Sequence, residues 1–127
     1  MKRIILGLVV SSVMLLADTA TIEATMKSMK QGVEQVQSGF IYNNKQDIIK
    51  GIQAIEDSNA MFGKVDVSKF IPNNSKIQVT KNINHNLATH IKKLKMSVES
   101  NDFSKATKAY GEMINDCISC HTIIRSW

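Results

Sequence analysis

Apolar residues recur along this chain at steps that alternate between three and four positions, which is the period of an α-helix. The clearest stripe lies between residues 19 and 40 and consists of Ile22, Met26, Met29, Val33, Val36 and Phe40. It predicts a helix from about Thr19 to Phe40 with one buried face. No segment alternates apolar and polar residues as a half-exposed strand does, so the pattern predicts an all-α fold.

Three further segments carry the same period. The second is expected to start after Asn44, whose side chain can cap a helix, and to end near Phe62. The third is expected over 76–100, and the fourth over 102–125 with Asp102 as its N-cap. Helices of about 20 residues are roughly 30 Å long and pack well side by side. We therefore expect an antiparallel four-helix bundle.

Two features depart from the regular pattern. Asn59 is the polar residue within the apolar stripe of the second segment. Residues 64–75 form a connection that is long for a helical bundle and contain the one proline of the chain. We expect this connection either to cross the surface or to pack over the bundle.

The first 17 residues have the organisation of an export signal. Lys2 and Arg3 precede an apolar run over 4–16, and Ala17 provides a small residue for cleavage. The run is shorter than the roughly 20 residues that a membrane-spanning helix needs, and no cysteine lies near the cleavage point to carry a lipid anchor. The expected product is a periplasmic domain of residues 18–127 without a membrane anchor.

Charge does not indicate a nucleic-acid partner. Loss of Lys2 and Arg3 with the signal lowers the formal net charge from +5 to +3. The remaining basic residues are dispersed apart from a cluster at 92–95, which is typical of a solvated helix face. No pattern predicts paired catalytic carboxylates or a nucleophile with its base, so we do not expect an enzyme.

Both cysteines fall within the motif Cys-Ile-Ser-Cys-His at 117–121. On a helix, Cys117, Cys120 and His121 share one face. Two thiols can then bond the two vinyl groups of a haem while the imidazole reaches its iron. This motif is the attachment signature of c-type haem and predicts one covalent haem c with His121 as an iron ligand.

Other interpretations of the cysteines have less support. A thioredoxin-like redox pair needs a βαβ context, which the helical pattern does not provide. A disulfide within one helix would close a very short loop and gain little stability. A zinc site would need further ligands, and His85 and His90 do not share a face with each other.

The arrangement resembles the class II cytochromes c, the cytochrome c′ family. Four helices, the motif on the last helix, and Arg125 four residues after His121 carry the resemblance. It implies a haem within the bundle and a first helix that faces the iron from the side opposite His121. Aligned with the related bundle cytochromes b, Met26 takes the second ligand position and Met29 a neighbouring core position. Arg125 is implied to shield the imidazole or to pair with a propionate.

The resemblance leaves two functions open. Ligation by Met26 and His121 predicts a monohaem electron carrier with redox partner proteins in the periplasm. An apolar residue opposite His121 would leave the iron five-coordinate, as in family members that bind nitric oxide or carbon monoxide. For the iron ligand opposite His121, Met29 is a third outcome beside Met26 and an open site. The oligomeric state, monomer or homodimer, is also left open.

Overall fold

The prediction of an all-α four-helix bundle is confirmed in a computed structural model. The structure describes the backbone of residues 2–71 and 73–125 and the side chains of residues 19–71 and 73–124. The helices are α1 Lys2–Ile41, α2 Lys45–Phe62, α3 Asn74–Glu99 and α4 Phe103–Arg125, with a short 3₁₀ helix at Val67–Lys69. Within the described backbone there is no strand.

The turns between helices form where the sequence predicts them. The side-chain oxygen of Asn44 accepts hydrogen bonds from the backbone N–H groups of Gln46 and Asp47 at the start of α2. Asn43 and Asn101 adopt left-handed backbone conformations with φ of 54° and 58°. Asparagine tolerates this region better than most residues, so both reverse turns are built from residues suited to them.

Two helices are longer than expected. α3 begins at Asn74 because the Asn73 side chain caps it, accepting a hydrogen bond of 2.9 Å from the backbone N–H of Ser75. α1 begins at Lys2 rather than near Thr19. An apolar run without proline can be helical whether or not it carries an amphipathic stripe, so the stripe does not mark the start of α1.

The bundle consists of two closely packed hairpins. α1 packs along α2, α3 packs along α4, and the hairpins meet where α2 contacts α3. Glycines allow the close approach of the first pair: a Cβ on Gly39 would lie 2.7 Å from the backbone nitrogen of Ile48. In contrast, α1 and α4 make almost no close backbone contact along the described chain. Their side chains meet at one end, where the rings of Phe40 and Tyr110 pack edge to face 5.8 Å apart.

Apolar side chains from all four helices form one core. The fully buried members with the largest side chains are Ile48, Ile52, Ile55, Ile91, Leu94 and Met113. The connection between α2 and α3 adds Val67 and Ile71, both buried, so this segment packs over the bundle. Within the described residues, no helix is both long enough and apolar enough to span a bilayer.

Candidate functional site

Two adjoining cavities lie on the side of the bundle where α1 and α4 stand apart. The core cavity, of about 210 Å³, receives residues from all four helices and is almost wholly apolar. The loop cavity, of about 220 Å³, is covered by Val67, Phe70 and Ile71 from the connection. Four residues line both cavities and so mark their boundary: Met26, Phe62, Cys120 and His121.

The Cys-Ile-Ser-Cys-His motif lies in α4, as predicted, and presents its chemical groups to these cavities. Cys117 lines the core cavity, whereas Cys120 and His121 line both. All three are half-buried, and the two cysteines are not joined in a disulfide. Ile118, between the cysteines on the opposite face, is 51% exposed. One face of α4 therefore directs two thiols and an imidazole into the same apolar space.

The two thiols are poor nucleophiles at neutral pH. Burial raises the pKa of Cys117 to about 11, and the neighbouring Asp116 carboxylate contributes to the rise. Burial also raises the pKa of Cys120. Dithiol oxidoreductases depend on the opposite shift, a cysteine pKa lowered by nearby positive charge or a helix N-terminus. The electrostatics of this site do not favour thiol–disulfide exchange.

Met26 and Met29 occupy different positions relative to His121. Met26 is half-buried on α1 and lines both cavities together with His121 on α4. Met29 is only 8% exposed, belongs to the core, and lines the core cavity but not the loop cavity. The backbone of Arg125 ends α4, and its side chain lies outside the described residues.

A pair of hydrogen-bonded asparagines lies in the wall of the core cavity. Asn84 on α3 donates a hydrogen bond of 2.6 Å from Nδ2 to Oδ1 of Asn59 on α2. Asn59 donates in turn to the backbone carbonyl of Asn84 at 3.4 Å. The polar interruption of the α2 stripe is thus satisfied across the interface between the two hairpins.

Sequence reasoning missed an acid–histidine contact beside the motif. Asp116 is 8% exposed and lines the core cavity immediately before Cys117. Its Oδ2 lies 2.6 Å from Nδ1 of His90 on α3. An acidic residue next to an apolar helix face was the available signal. The partner depends on how α3 and α4 are rotated, which periodicity does not specify.

The described side chains contain no group of three or more His, Cys, Asp or Glu residues arranged to hold a metal ion. His85 is exposed on α3, and neither His85 nor His90 lines the core or loop cavity. Comparison of the chain with protein-family models, with curated proteins and with solved structures gives no match.

Proposed function

We propose that this chain is an exported monohaem c-type cytochrome of the class II type that carries electrons. The observation that carries the proposal is the convergence of Cys117, Cys120 and His121 from α4 and Met26 from α1 on adjoining apolar cavities. A bound haem supplies a reversible one-electron change at its iron. The residues of the chain hold it, orient it and exclude water from it.

The chemistry of the donor set fits a haem. The thiols of Cys117 and Cys120 would hold it through thioether bonds to its two vinyl groups, and the imidazole of His121 would ligate its iron. Met26, on the other hairpin, would supply its thioether as a second iron ligand. A methionine–histidine ligand pair raises the reduction potential and suits electron transfer. Arg125, one turn after His121, is proposed to pair with a propionate or to shield the imidazole.

Export is part of the proposal, because Lys2 and Arg3 precede an apolar run over 4–16 and Ala17 offers a small residue for cleavage. Cleavage after Ala17 would shorten α1. Asp18 would then stand at the new start of α1, where a negative charge is favourable to the helix. The product would work in the periplasm with redox partner proteins, as monomer or homodimer.

Covalent haem attachment is the first test. The chain is expressed with its signal in a host that attaches c-type haem, then denatured, separated and stained for haem. We expect the stain to follow the chain and to disappear in the Cys117→Ala/Cys120→Ala variant. Ser119→Ala, inside the same motif, is the matched control and should retain haem. A haem-free wild-type chain in a host that loads a control cytochrome would refute the proposal.

Capture of a small gas is the alternative function, and the apolar lining of the cavity beside His121 favours it. The matched pair Met26→Leu and Met29→Leu separates the two functions. For an electron carrier we expect a low-spin spectrum that becomes high-spin only in Met26→Leu. A high-spin wild type that takes up carbon monoxide readily, with a spectrum unaffected by Met26→Leu, would assign gas binding instead.

A further inference from the structure

Lys30 is the one lysine or arginine among the described residues that line the core cavity or the loop cavity. It lies on α1, one helical turn after Met26 and three residues before Val33, and both of these residues line the core cavity with it. Residues at these spacings share a helical face. Seven residues after Val33 on the same stripe, Phe40 packs against Tyr110 of α4. This face of α1 is therefore directed across the gap towards α4, and it carries a positive charge.

The ammonium of Lys30 lies at the mouth of the core cavity. The side chain is 72% exposed, whereas the cavity itself is almost wholly apolar. A lysine stem can cover apolar surface while its ammonium stays in water. The stem therefore contributes to the cavity wall and the charge stays at the solvent edge. An anionic group bound there would keep its contact with water and avoid the cost of a buried charge.

The present partner of Lys30 can be exchanged at little cost. Lys30 Nζ lies 2.6 Å from Glu34 Oε1, in an ion pair one helical turn long with both side chains more than half exposed. Ion pairs this exposed contribute little to stability, because water and salt screen them. Glu34 lines neither cavity. An anion at the cavity mouth can therefore take the ammonium without disturbing the packing of the bundle.

The acidic and amide groups in the wall of the core cavity already have partners. Asp116 is bonded to His90 at 2.6 Å, and the amides of Asn59 and Asn84 are bonded to each other at 2.6 Å. The Asp116 carboxylate would in addition repel an anion. Among the acidic, amide and ammonium groups of the wall, Lys30 is therefore the one suited to bind a carboxylate.

We propose that Lys30 binds a propionate of the haem at the mouth of the core cavity, and that it exchanges Glu34 for this propionate when the haem is attached. The inference rests on the proposed function. The propionates of a haem lie on the edge opposite its vinyl groups. Attachment through Cys117 and Cys120 would therefore leave the carboxylates on the edge remote from the motif. A haem has two propionates, so binding of one by Lys30 is compatible with the role proposed for Arg125.

The charge of Lys30 should raise the reduction potential. A propionate paired with the ammonium has its charge compensated, whereas the negative charge of an unpaired propionate stabilises the oxidised iron. Lys30→Gln should therefore shift the equilibrium towards the oxidised protein by about three- to tenfold. For a one-electron couple, a tenfold shift corresponds to about 59 mV. Because the pair lies at the surface, the difference from wild type should shrink as ionic strength rises.

Potentiometry of the haem-loaded protein at neutral pH and low ionic strength tests the inference. Lys30→Gln should lower the potential, and Lys30→Arg, which keeps the charge, should stay close to the wild-type value. Lys27→Gln is the matched control, because Lys27 is an exposed lysine of the same helix that lines neither cavity. Its potential should also stay close to that of wild type. Equal potentials in Lys30→Gln and Lys27→Gln would overturn the proposal.

A second measurement needs no variant. In a crystal structure of the haem-loaded wild-type protein, the Lys30 ammonium should form an ion pair with a propionate oxygen and no longer with Glu34. An ammonium still paired with Glu34, with both propionates bound elsewhere, would refute the inference even though haem is attached. Absence of covalent haem would instead refute the proposed function and, with it, this inference.

Discussion

Gly51 on α2 faces the backbone carbonyl oxygen of Gly32 on α1, and a Cβ on Gly51 would lie 2.6 Å from that oxygen. The same Cβ would lie 2.8 Å from the backbone nitrogen of Val36. Neither backbone atom can rotate away as a flexible side chain could. The spacing of the α1–α2 hairpin, and with it the position of Met26, therefore depends on the absence of a side chain at Gly51.

Replacement of Gly51 by alanine should force the two helices apart. We expect the free energy of unfolding to fall by about 2–3 kcal/mol, as for other overpacked sites. Gly111→Ala is the matched control, because a Cβ there would meet no heavy atom within 4 Å. Alanine should stabilise that helical position by about 0.5–1 kcal/mol. Urea unfolding measures the free energy of unfolding of both variants. Equal changes in the two variants would contradict the close packing at Gly51.

The Asn59–Asn84 pair should stabilise the contact between the hairpins. Asn59→Ala removes the acceptor of the 2.6 Å hydrogen bond and leaves a partly buried amide donor without it. We expect a loss of about 1–3 kcal/mol and a coupling above about 0.5 kcal/mol in the double-mutant cycle with Asn84→Ala. The exposed pair Gln78–Asn82, with a similar bond of 3.0 Å, is the control. A coupling energy between Gln78 and Asn82 as large as that between Asn59 and Asn84 would contradict a specific contribution of the asparagine pair to the contact between the hairpins.

Two methionines should differ sharply in their effect on stability. Met113 is fully buried, whereas Met96 is 58% exposed. Met113→Ala removes buried apolar surface and leaves a cavity, at a cost of about 2–5 kcal/mol. Met96→Ala should change the free energy of unfolding by less than about 0.5 kcal/mol. Thermal or urea denaturation measures both, and comparable losses would show that α4 is rotated from the position described.

Cys117 should react slowly in the polypeptide with both thiols free. A pKa raised from 9.0 to about 11 lowers the thiolate fraction at pH 8 about a hundredfold. In a Cys120→Ser background, the pH profile of alkylation should shift upward in the folded chain and return to the ordinary range in urea. Adding Asp116→Asn should shift it part of the way back, because the carboxylate contributes to the rise.

The same shift makes stability depend on pH. The folded chain holds the Cys117 proton more tightly than the unfolded chain does. Its contribution is therefore fully present below about pH 9 and is lost as pH rises toward 11. The urea midpoint of the Cys120→Ser chain should fall across this range more than that of Cys117→Ser/Cys120→Ser. Parallel pH profiles for the two chains would be inconsistent with a buried thiol.

Sequence patterns predicted those parts of the structure that local geometry controls. Asn44 caps α2 and Asp102 caps α4 because each side-chain oxygen accepts a hydrogen bond from a backbone N–H in the first turn. Cys117 and His121 share a cavity because their spacing puts them on one helical face. Phe103, the first residue of α4, is 37% exposed, since the first position of a helix lies at the end of the bundle.

What escaped prediction depends on the packing of one element against another. His90 and Asp116 are 26 positions apart, and their contact requires a particular rotation of α3 against α4. Val67 and Ile71 cover the loop cavity because a 3₁₀ turn directs them inward. Neither arrangement leaves a periodic signal in the sequence. The rotation of α3 against α4, and the packing of the connection over the cavity, depend on how side chains from different elements pack together.

The separation of α1 from α4 has a consequence for how the molecule is assembled. Each hairpin has its own interface, and on the remaining side the rings of Phe40 and Tyr110 pack together. A planar group could enter between α1 and α4 beside the motif while both hairpins keep their contacts. If the proposed haem is attached at this motif, folding of the chain and attachment of the haem would be separable events, and attachment could take place on a bundle that is already largely built.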